Sequence, residues 1–531
     1  MQWNVFRLQQ RIYQAARRND VKQVHNLQRL LLRSWSARCL AVRRMTQDNR
    51  GKNTPGIDGI AGLTPTQRLQ MVGKLRHVDT HQPVALRRIY IPKPGKSEQR
   101  PLSIPSLLDR ALQTLVKLAL EPEWEARFEP NSYGFRPGRS AHDAIEAIFN
   151  FIRLKPKFVL DADISQCFDR IFHAALEAKL HTVRPIARLT HAWLKAGILD
   201  HGVMAYPEAG TPQGSPLSPL RANIALHGFE TAIRQASPNK SPAALIRYAD
   251  DFVILHPDLA ALQHLRQVAA DWLATLGLEL HPDKTRISHT LEPYHGHLGF
   301  DFLGFHIRQY LVGKYHTRTF RDAPGFKTLI KPSANALQRH RDRLRDLIRQ
   351  HRGVAQAALI RVLNPVIQGW CNYYQFATAK AAFHRLEYVL FYQLKCWARY
   401  RHPHKRDRWC YHRYWRKERE RLRFSDGVSI LSLHQTTTVS RFVKVQNTRS
   451  PFDGDWVYWA TRLGRDPAKP RRVTRLLKRQ HGQCALCGLP FTTDDVLEVH
   501  HHDGNHQNNA FDNLRLLHGH CHDLVHGKPC L

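Results

Sequence analysis

Acid is what this sequence is shortest of: 44 Asp and Glu stand against 80 Lys and Arg in 531 residues, a formal charge of +36. So lopsided a chain repels itself unless a polyanion covers it, and nucleic acid is the first candidate partner. Long apolar runs are missing as well. No stretch approaches the ~18 uncharged apolar residues of a membrane span, and Met1-Gln2-Trp3-Asn4 opens no basic-then-apolar signal pattern. The expectation is a soluble, unexported cytoplasmic protein with no membrane partner, at work on nucleic acid. A disulfide framework is absent too: nine cysteines, an odd number, are scattered, and only Cys484 and Cys487 stand at ligand-like spacing, which fits a reducing compartment. There is no internal repeat and no low-complexity tract.

The length suffices for roughly three or four domains. Up to about Arg50 the chain is rich in Arg, Gln and Leu, and Val24, Leu27, Leu30 and Leu31 recur at helical spacing, predicting amphipathic helices with a basic outer face, or more plainly a solvated helical hairpin. Residues 51–59, with three glycines and a proline, predict a shaped loop. From Arg87 to about Ile307, β-like runs such as Phe158-Val159-Leu160 and Phe252-Val253-Ile254-Leu255 mix with helical stretches, Arg110 to Leu120 and Leu259 to Leu276. That mixture predicts an α/β or α+β core. A helical block spans about Ser333 to Tyr400. Arg401 to Arg423 is densely basic and aromatic, and Gly464 to Arg472 is linker-like.

Two acidic clusters carry the chemistry. Arg247-Tyr248-Ala249-Asp250-Asp251-Phe252 sets adjacent carboxylates between strand-forming residues, predicting a hairpin turn. Alone, an Asp-Asp turn reads equally well as a solvated loop. Upstream, Phe158-Val159-Leu160-Asp161-Ala162-Asp163 runs an apolar strand into acid, with Phe168 five residues on. Such a strand beside such a hairpin supplies three oxygen ligands for two Mg²⁺ ions, the set that drives nucleotidyl transfer.

Tyr-Ala-Asp-Asp after an Asp-x-x-x-x-Phe strand resembles the palm of reverse transcriptases, and the surrounding blocks are similar to those of group II intron-encoded proteins. These blocks are Ile89 to Lys93, Arg100 to Pro105, Tyr133 to Ser140, Gly210 to Pro219, Leu276 to Leu280 leading to Lys284, and Phe302 to Phe305. The resemblance implies a multidomain α+β protein: a right-hand polymerase with fingers, palm and helical thumb. It implies that Asp163, Asp250 and Asp251, with the Ile164 carbonyl, hold the palm metals. Lys93 and Arg100 would neutralise the triphosphate of a dNTP, Gln213 and Lys284 line its pocket, and Phe168 occupies the sugar-gate position. A core Phe is the plainer reading of Phe168. Asn364 to Tyr374 resembles the family's thumb, which doubles as its maturase domain; Trp370 and Tyr374, four apart, read better as a helix-core stripe than as a base-stacking platform. The basic cluster from Arg399 through Arg423 is assigned to intron RNA or target DNA. Ser215, where Gly is more usual, and Arg221, where an apolar residue is common, depart from the family pattern and bear on pocket shape.

Cys484-x-x-Cys487 and His518-x-x-Cys521 form a two-knuckle set for one structural Zn²⁺. Between and after them come Glu498, His500-His501-His502, Asn513, His522 and His526. This terminus is similar to the HNH nucleases of ββα-metal fold fused to many group II intron proteins. By resemblance His501 is the general base; His500, His522 and His526 are ligands of one divalent ion, Mg²⁺ or Mn²⁺; and Asn513 orients the loop holding the base. The run of three histidines leaves the register open by one residue, and a zinc ribbon that only contacts DNA is the alternative.

The division this implies is 1–50, a basic helical extension; 51–312, fingers and palm; 313–405, thumb and maturase; 406–472, a basic DNA-binding linker; and 473–531, an HNH endonuclease. The implied function is reverse transcription, splicing of the intron RNA, and nicking of target DNA to prime retrohoming. The rivals are a domesticated reverse transcriptase serving host repair or defence, and a splicing factor with an idle polymerase.

Overall fold

The computed structural model describes residues 1–92, 98–238, 241–312, 325–418, 421–467, 469–492 and 495–527. Lys93 therefore lies outside the described residues. Among those described, no helix is long and apolar enough to cross a membrane.

The chain opens with helices Gln2–Arg17, Val21–Arg33 and Trp35–Arg43. Asp20 and Ser34 cap the second and third by accepting from the backbone N–H groups of Gln23 and Ala37, satisfying donors that a helix start leaves open. Val24, Leu27 and Leu31 are buried, whereas Leu30 is 49% exposed, a quarter-turn off the stripe. These helices do not form a solvated hairpin. Val5, Ile12 and Leu31 share one core with Leu112 and Leu115 of the long helix Leu107–Arg127, and Gln28 Nε2 donates to Glu123 Oε2 at 2.6 Å inside it.

Two four-stranded sheets follow. In the first, Leu86–Pro92 lies between Gln99–Ile104, antiparallel, and Ile198–Asp200, parallel, with Val203–Ala205 on the outer edge. The second, wholly antiparallel, has the order Ala244–Tyr248, Asp251–His256, Phe158–Asp163, Arg286–His289. Its side chains alternate between two separate cores, as a period of two requires. Leu160, Ala162, Phe252 and Ile254 join the N-terminal helices. Val159, Val253 and Leu255 join helix Ala141–Ile152 and the helices Ala334–Gln350, Gln356–Tyr374 and Lys380–Arg401. A strand buried on both faces reads as an unbroken apolar run, which is why Phe252 to Leu255 shows no alternation.

The helical block contains the expected core stripe: Trp370 and Tyr374 pack at 4.4 Å between ring centres, Trp370 stacks on His340 at 4.8 Å, and the Tyr374 hydroxyl donates to the Gly304 carbonyl. The stretch expected to be a linker is built into this body. Cys410, Tyr414, Trp415, Phe424, Leu431, Val445 and Trp459 lie in the same core, and fully buried Asp143 receives the Val445 N–H and, on both its oxygens, Nη2 of Arg462, whose Nη1 donates to the Val443 carbonyl. Further on, Trp456 packs on Trp3 and Phe6 of the first helix. The last unit has its own small core, from Leu463 and Val473 to Leu514 and Cys521, around hairpin Leu497–His501/Leu514–His518 and helix Gly519–Val525.

Candidate functional site

Strand pairing brings the first acidic group together. Tyr248 pairs with Asp251, leaving Ala249 and Asp250 as a two-residue turn. Only the first of these has positive φ, +59° at Ala249, the pattern of a type II′ hairpin with alanine where glycine is at ease. Fully buried Arg247 holds the turn: Nη1 donates to the Ala249 carbonyl and to Asn223 Oδ1, and Nη2 to Ser132 Oγ. Gly134 packs so closely on the Ala249 backbone that a Cβ there has no room. Arg247, Asn223 and Ser132 carry no sequence signal of this role; only the adjacency of Arg247 to the acidic pair hints at it.

Asp163 sits directly opposite Asp251 on the neighbouring strand, a like-charge pairing that destabilises a bare sheet. The Ile164 N–H donates to the Asp250 carbonyl at 3.3 Å, and Lys284, on the turn Pro282–Lys284, forms an ion pair with Asp163. Desolvation in the cleft, with the charges of Asp250 and Asp163 added, pushes the Asp251 carboxyl up to about 7. Asp250 is also raised, chiefly by desolvation, with Arg100 and Lys284 pulling back. Desolvation works against the Lys284 ammonium, yet the hydrogen bond and charge of Asp163, with Asp251 and Asp250 behind it, hold its pKa above the ordinary lysine value. Such crowding suits divalent cations bridged by carboxylates.

Around this trio, Arg100 is exposed on its strand opposite Ile91. Half-buried Phe168 meets the exposed ring of Phe135 edge to face at 5.9 Å. Its carbonyl accepts from the Thr211 N–H, and the Gly210 N–H donates to Ile171, so the loop bearing Gln213 is stitched to the turn bearing Phe168. Gln213 Nε2 donates to Asp169 Oδ2 at 3.0 Å, a partner the motif did not announce. Of the two departures, Ser215 is buried and donates to Gln113 Oε1. Arg221 is buried over the Trp193 ring, its pKa lowered to about 9 by desolvation.

Two clusters in the last unit bring three or more ligand atoms within 4.8 Å of one another, a closeness that Asp163, Asp250 and Asp251 do not reach among the described residues. The first is Cys484, Cys487, His518 and Cys521, with potential ligand atoms all within 4.8 Å of one another. Asp495, 3% exposed at its side chain, faces His518 Nε2 at 3.5 Å, leaving Nδ1 turned to the thiols of Cys487 and Cys521 at 3.4 and 3.9 Å. A carboxylate behind a histidine is how proteins orient a metal ligand, and no spacing rule pointed to Asp495. Burial works against the charged ring, but Asp495 and Cys484 raise His518 to about 10. The Cys521 thiol, and His518 after it, drive Cys484 toward thiolate.

The second is His500, His522 and His526. His522 and His526 stand one helical turn apart, Nε2 to Nε2 at 3.2 Å, and Glu498 Oε2 lies 2.6 Å from His522 Nδ1. Glu498 and His500, two apart on a strand, share the face turned to this helix, and His502 is not in the cluster. Burial, and then His522 and His526, lower the His500 pKa, favouring the neutral imidazole that ligates metal. His501 projects elsewhere, toward Asn509 Oδ1 at 3.3 Å and the edge of His506. Asn513 braces the loop between the strands: Nδ2 donates to Asp503 Oδ1 and the Asn508 carbonyl, Oδ1 accepts the Asp503 N–H, and its carbonyl accepts the His502 N–H.

Family models match three stretches of the chain. Residues 91–307 match the model of reverse transcriptase (RNA-dependent DNA polymerase). Residues 1–75 match the N-terminal domain of reverse transcriptase, and 337–415 the group II intron maturase-specific domain. Protein YkfC of Escherichia coli K12 is 32% identical over 323 residues, 53% of this chain and 83% of that one. Group II intron-encoded protein LtrA of Lactococcus lactis subsp. cremoris is 32% identical over 246 residues, covering 45% of this chain and 41% of LtrA. Maturase-like protein 1 of Euglena gracilis is 26% identical over 396 residues, covering 74% and 78%.

Proposed function

The chain belongs to the reverse transcriptases that carry a group II intron maturase domain, and from that membership we propose a multifunctional intron-encoded protein. It copies RNA into DNA, binds and helps splice its intron RNA, and nicks target DNA with a terminal HNH module to prime retrohoming. We assign fingers and palm to residues 51–312, thumb and maturase to 313–405, a basic DNA-binding segment to 406–472 and the nuclease to 473–531. The observation that carries the polymerase reading is the placement of Asp163 opposite Asp251, with Asp250 at the turn between strands.

In this reading Asp163, Asp250 and Asp251, with the Ile164 carbonyl, would hold two Mg²⁺ ions, which when bound activate a 3′-hydroxyl and stabilise departing pyrophosphate. Lys93 and Arg100 neutralise the triphosphate, as cations paired to phosphate do, and Lys284 lines the nucleotide pocket. Asp169 fixes the Gln213 amide by its nitrogen, turning the carbonyl oxygen to the nucleotide. Phe168, braced by Phe135, fills the volume a ribose 2′-hydroxyl would need.

The test is primer extension on an RNA template by the purified chain with Mg²⁺ and either deoxy- or ribonucleotides. Deoxynucleotides should be strongly preferred, and Phe168→Val should raise the relative use of ribonucleotides by up to about 10²-fold, the scale on which an apolar wall rejects an added hydroxyl. An unchanged ratio would return Phe168 to plain packing against Phe135; no extension at all would remove the polymerase reading.

For the terminal module, the ββα order, the His500/His522/His526 cluster and His501 apart from it support a nuclease over a binding ribbon. There Cys484, Cys487, His518 and Cys521 would hold Zn²⁺, and the three histidines one Mg²⁺ or Mn²⁺, which when bound polarises a phosphate. His501 takes the proton of the attacking water. Elemental analysis should find about one tightly held Zn per chain, since a closed Cys₃His set is structural. Cys484→Ser should open residues 473–531 to protease while extension persists, because structural zinc contributes folding energy locally. A zinc-free yet protease-resistant terminus would refute this.

A further inference from the structure

A cavity of about 690 Å³ opens where four parts of the chain meet: residues 136–140, 372–376, 440–446 with 458–467, 469 and 471, and 474 and 478 on the helix Arg471–Arg479. Nine lysines and arginines line it against a single acid, Asp466. Some of these cations are already engaged, Arg136 with Glu125 and Arg462 with Asp143. The side chains of Lys444, Arg465 and Lys478 make no hydrogen bond or close ion pair among the described residues, although the charges of Asp143 and Glu146 reach Lys444. Lys444 is half-buried, its pKa lowered by desolvation and by Arg139. Like charges gathered in a recess raise the energy of the fold unless an anion enters.

The rest of the lining is aromatic. Phe376 and Phe442 meet edge to face at 5.2 Å, and Phe376 and Tyr458 are half-buried lining rings, Arg449 lying over one face of Tyr458 at 4.9 Å. Cations without close partners interleaved with aromatic rings are the chemistry of single-stranded nucleic acid, where phosphates take the charges and bases take the rings. The volume holds a few nucleotides and is too small for a duplex, so a single strand is the occupant that fits.

We propose that this junction is a binding site for a single strand, two or three nucleotides of DNA or RNA passing between the polymerase body and the terminal module. The proposal rests on the nucleic-acid reading above but on none of its catalytic residues. A small polyphosphate shares the phosphate chemistry and lacks the bases, so the rings decide between them.

The test uses the full chain, freed of nucleic acid, with a fluorescent twelve-nucleotide oligo(dT), the same sequence as duplex, and tripolyphosphate as competitor. The single strand should bind more tightly than the duplex, and a 4-thiothymidine version should cross-link to Phe376, Phe442 or Tyr458 of the wild type. The combined variant Lys444→Glu, Arg465→Glu, Lys478→Glu should lose at least tenfold in affinity, and its slope of log K against log salt should flatten by about two, three contacts at ~0.7 each. Tyr458→Ala should cost about fivefold or more. Cross-links confined to other surfaces, or an unchanged salt slope in the combined variant, would overturn the site. Tripolyphosphate binding that the combined variant loses, with oligo(dT) binding kept, would reassign it to small polyphosphates. Cross-linking here by a wild-type chain that extends no primer would uphold the site while removing the polymerase reading.

Discussion

Asp251→Asn is expected to lower cDNA synthesis by at least about 10³-fold, since it removes a carboxylate facing Asp163 across the sheet where metal must neutralise developing charge. The same substitution should make the metal-free protein more stable at neutral and higher pH. A carboxyl held at about 7 in the fold against 3.8 as reference keeps a proton that the unfolded chain gives up, so this group's contribution to stability falls as pH rises from about 4 through 7. Asparagine carries no charge to lose. Thermal unfolding without metal should therefore place Asp251→Asn above wild type at pH 8 and bring the two together near pH 4. Adding Mg²⁺ at pH 8 should raise the wild type and leave the variant little changed. An active variant, or one less stable than wild type at pH 8 without metal, would mean that the carboxylates are not in conflict and the metal reading is wrong.

The second large effect belongs to the terminal module. His501→Ala should still bind metal and DNA yet lose about 10²–10⁴-fold in strand cleavage, the usual loss of a general base, with partial recovery from added imidazole or raised pH. His500→Ala should fail differently. It removes one of three converging imidazoles, so divalent-ion affinity falls and high Mg²⁺ or Mn²⁺ restores cleavage. Primer extension should survive both. Rescue in the reverse pattern, metal for His501→Ala and imidazole for His500→Ala, would shift the assignment by one residue.

How far the sequence could be read depended on the range of the interaction. The acidic turn was legible because its strands are local: Tyr248 and Asp251 are three residues apart and partners. The Trp370–Tyr374 stripe was legible for the same reason, and so were the Cys-x-x-Cys spacings. What stayed hidden was settled by distant partners. Leu30 obeys the helical pattern in sequence but turns to solvent, because the neighbouring helix Leu107–Arg127 receives only a narrow stripe. The basic stretch after residue 405 reads as linker because its cations outnumber its rings, and the ring of Trp415 finds its place only against Phe391 and Phe424. Asp495 offers no pattern at all; it matters because folding delivers His518 to it. Arg247 lay inside a recognised block and Asp169 just past Phe168, yet their roles depend on Ala249 and Gln213 being held in one orientation.

The doubly buried central sheet has a mechanical consequence. Its strands are a party wall one residue thick, with Leu160 and Ile254 facing the N-terminal helices and Val159, Val253 and Leu255 facing the thumb-side helices. Asp163, Asp250 and Asp251 stand on the rim of that wall. A force on the helices of that second side has no soft layer in which to dissipate before it reaches the rim, since close-packed interiors transmit strain. Neighbours along a single strand therefore answer to different rooms: trimming Val253 loosens the wall from the thumb side, and trimming Ile254 loosens it from the other.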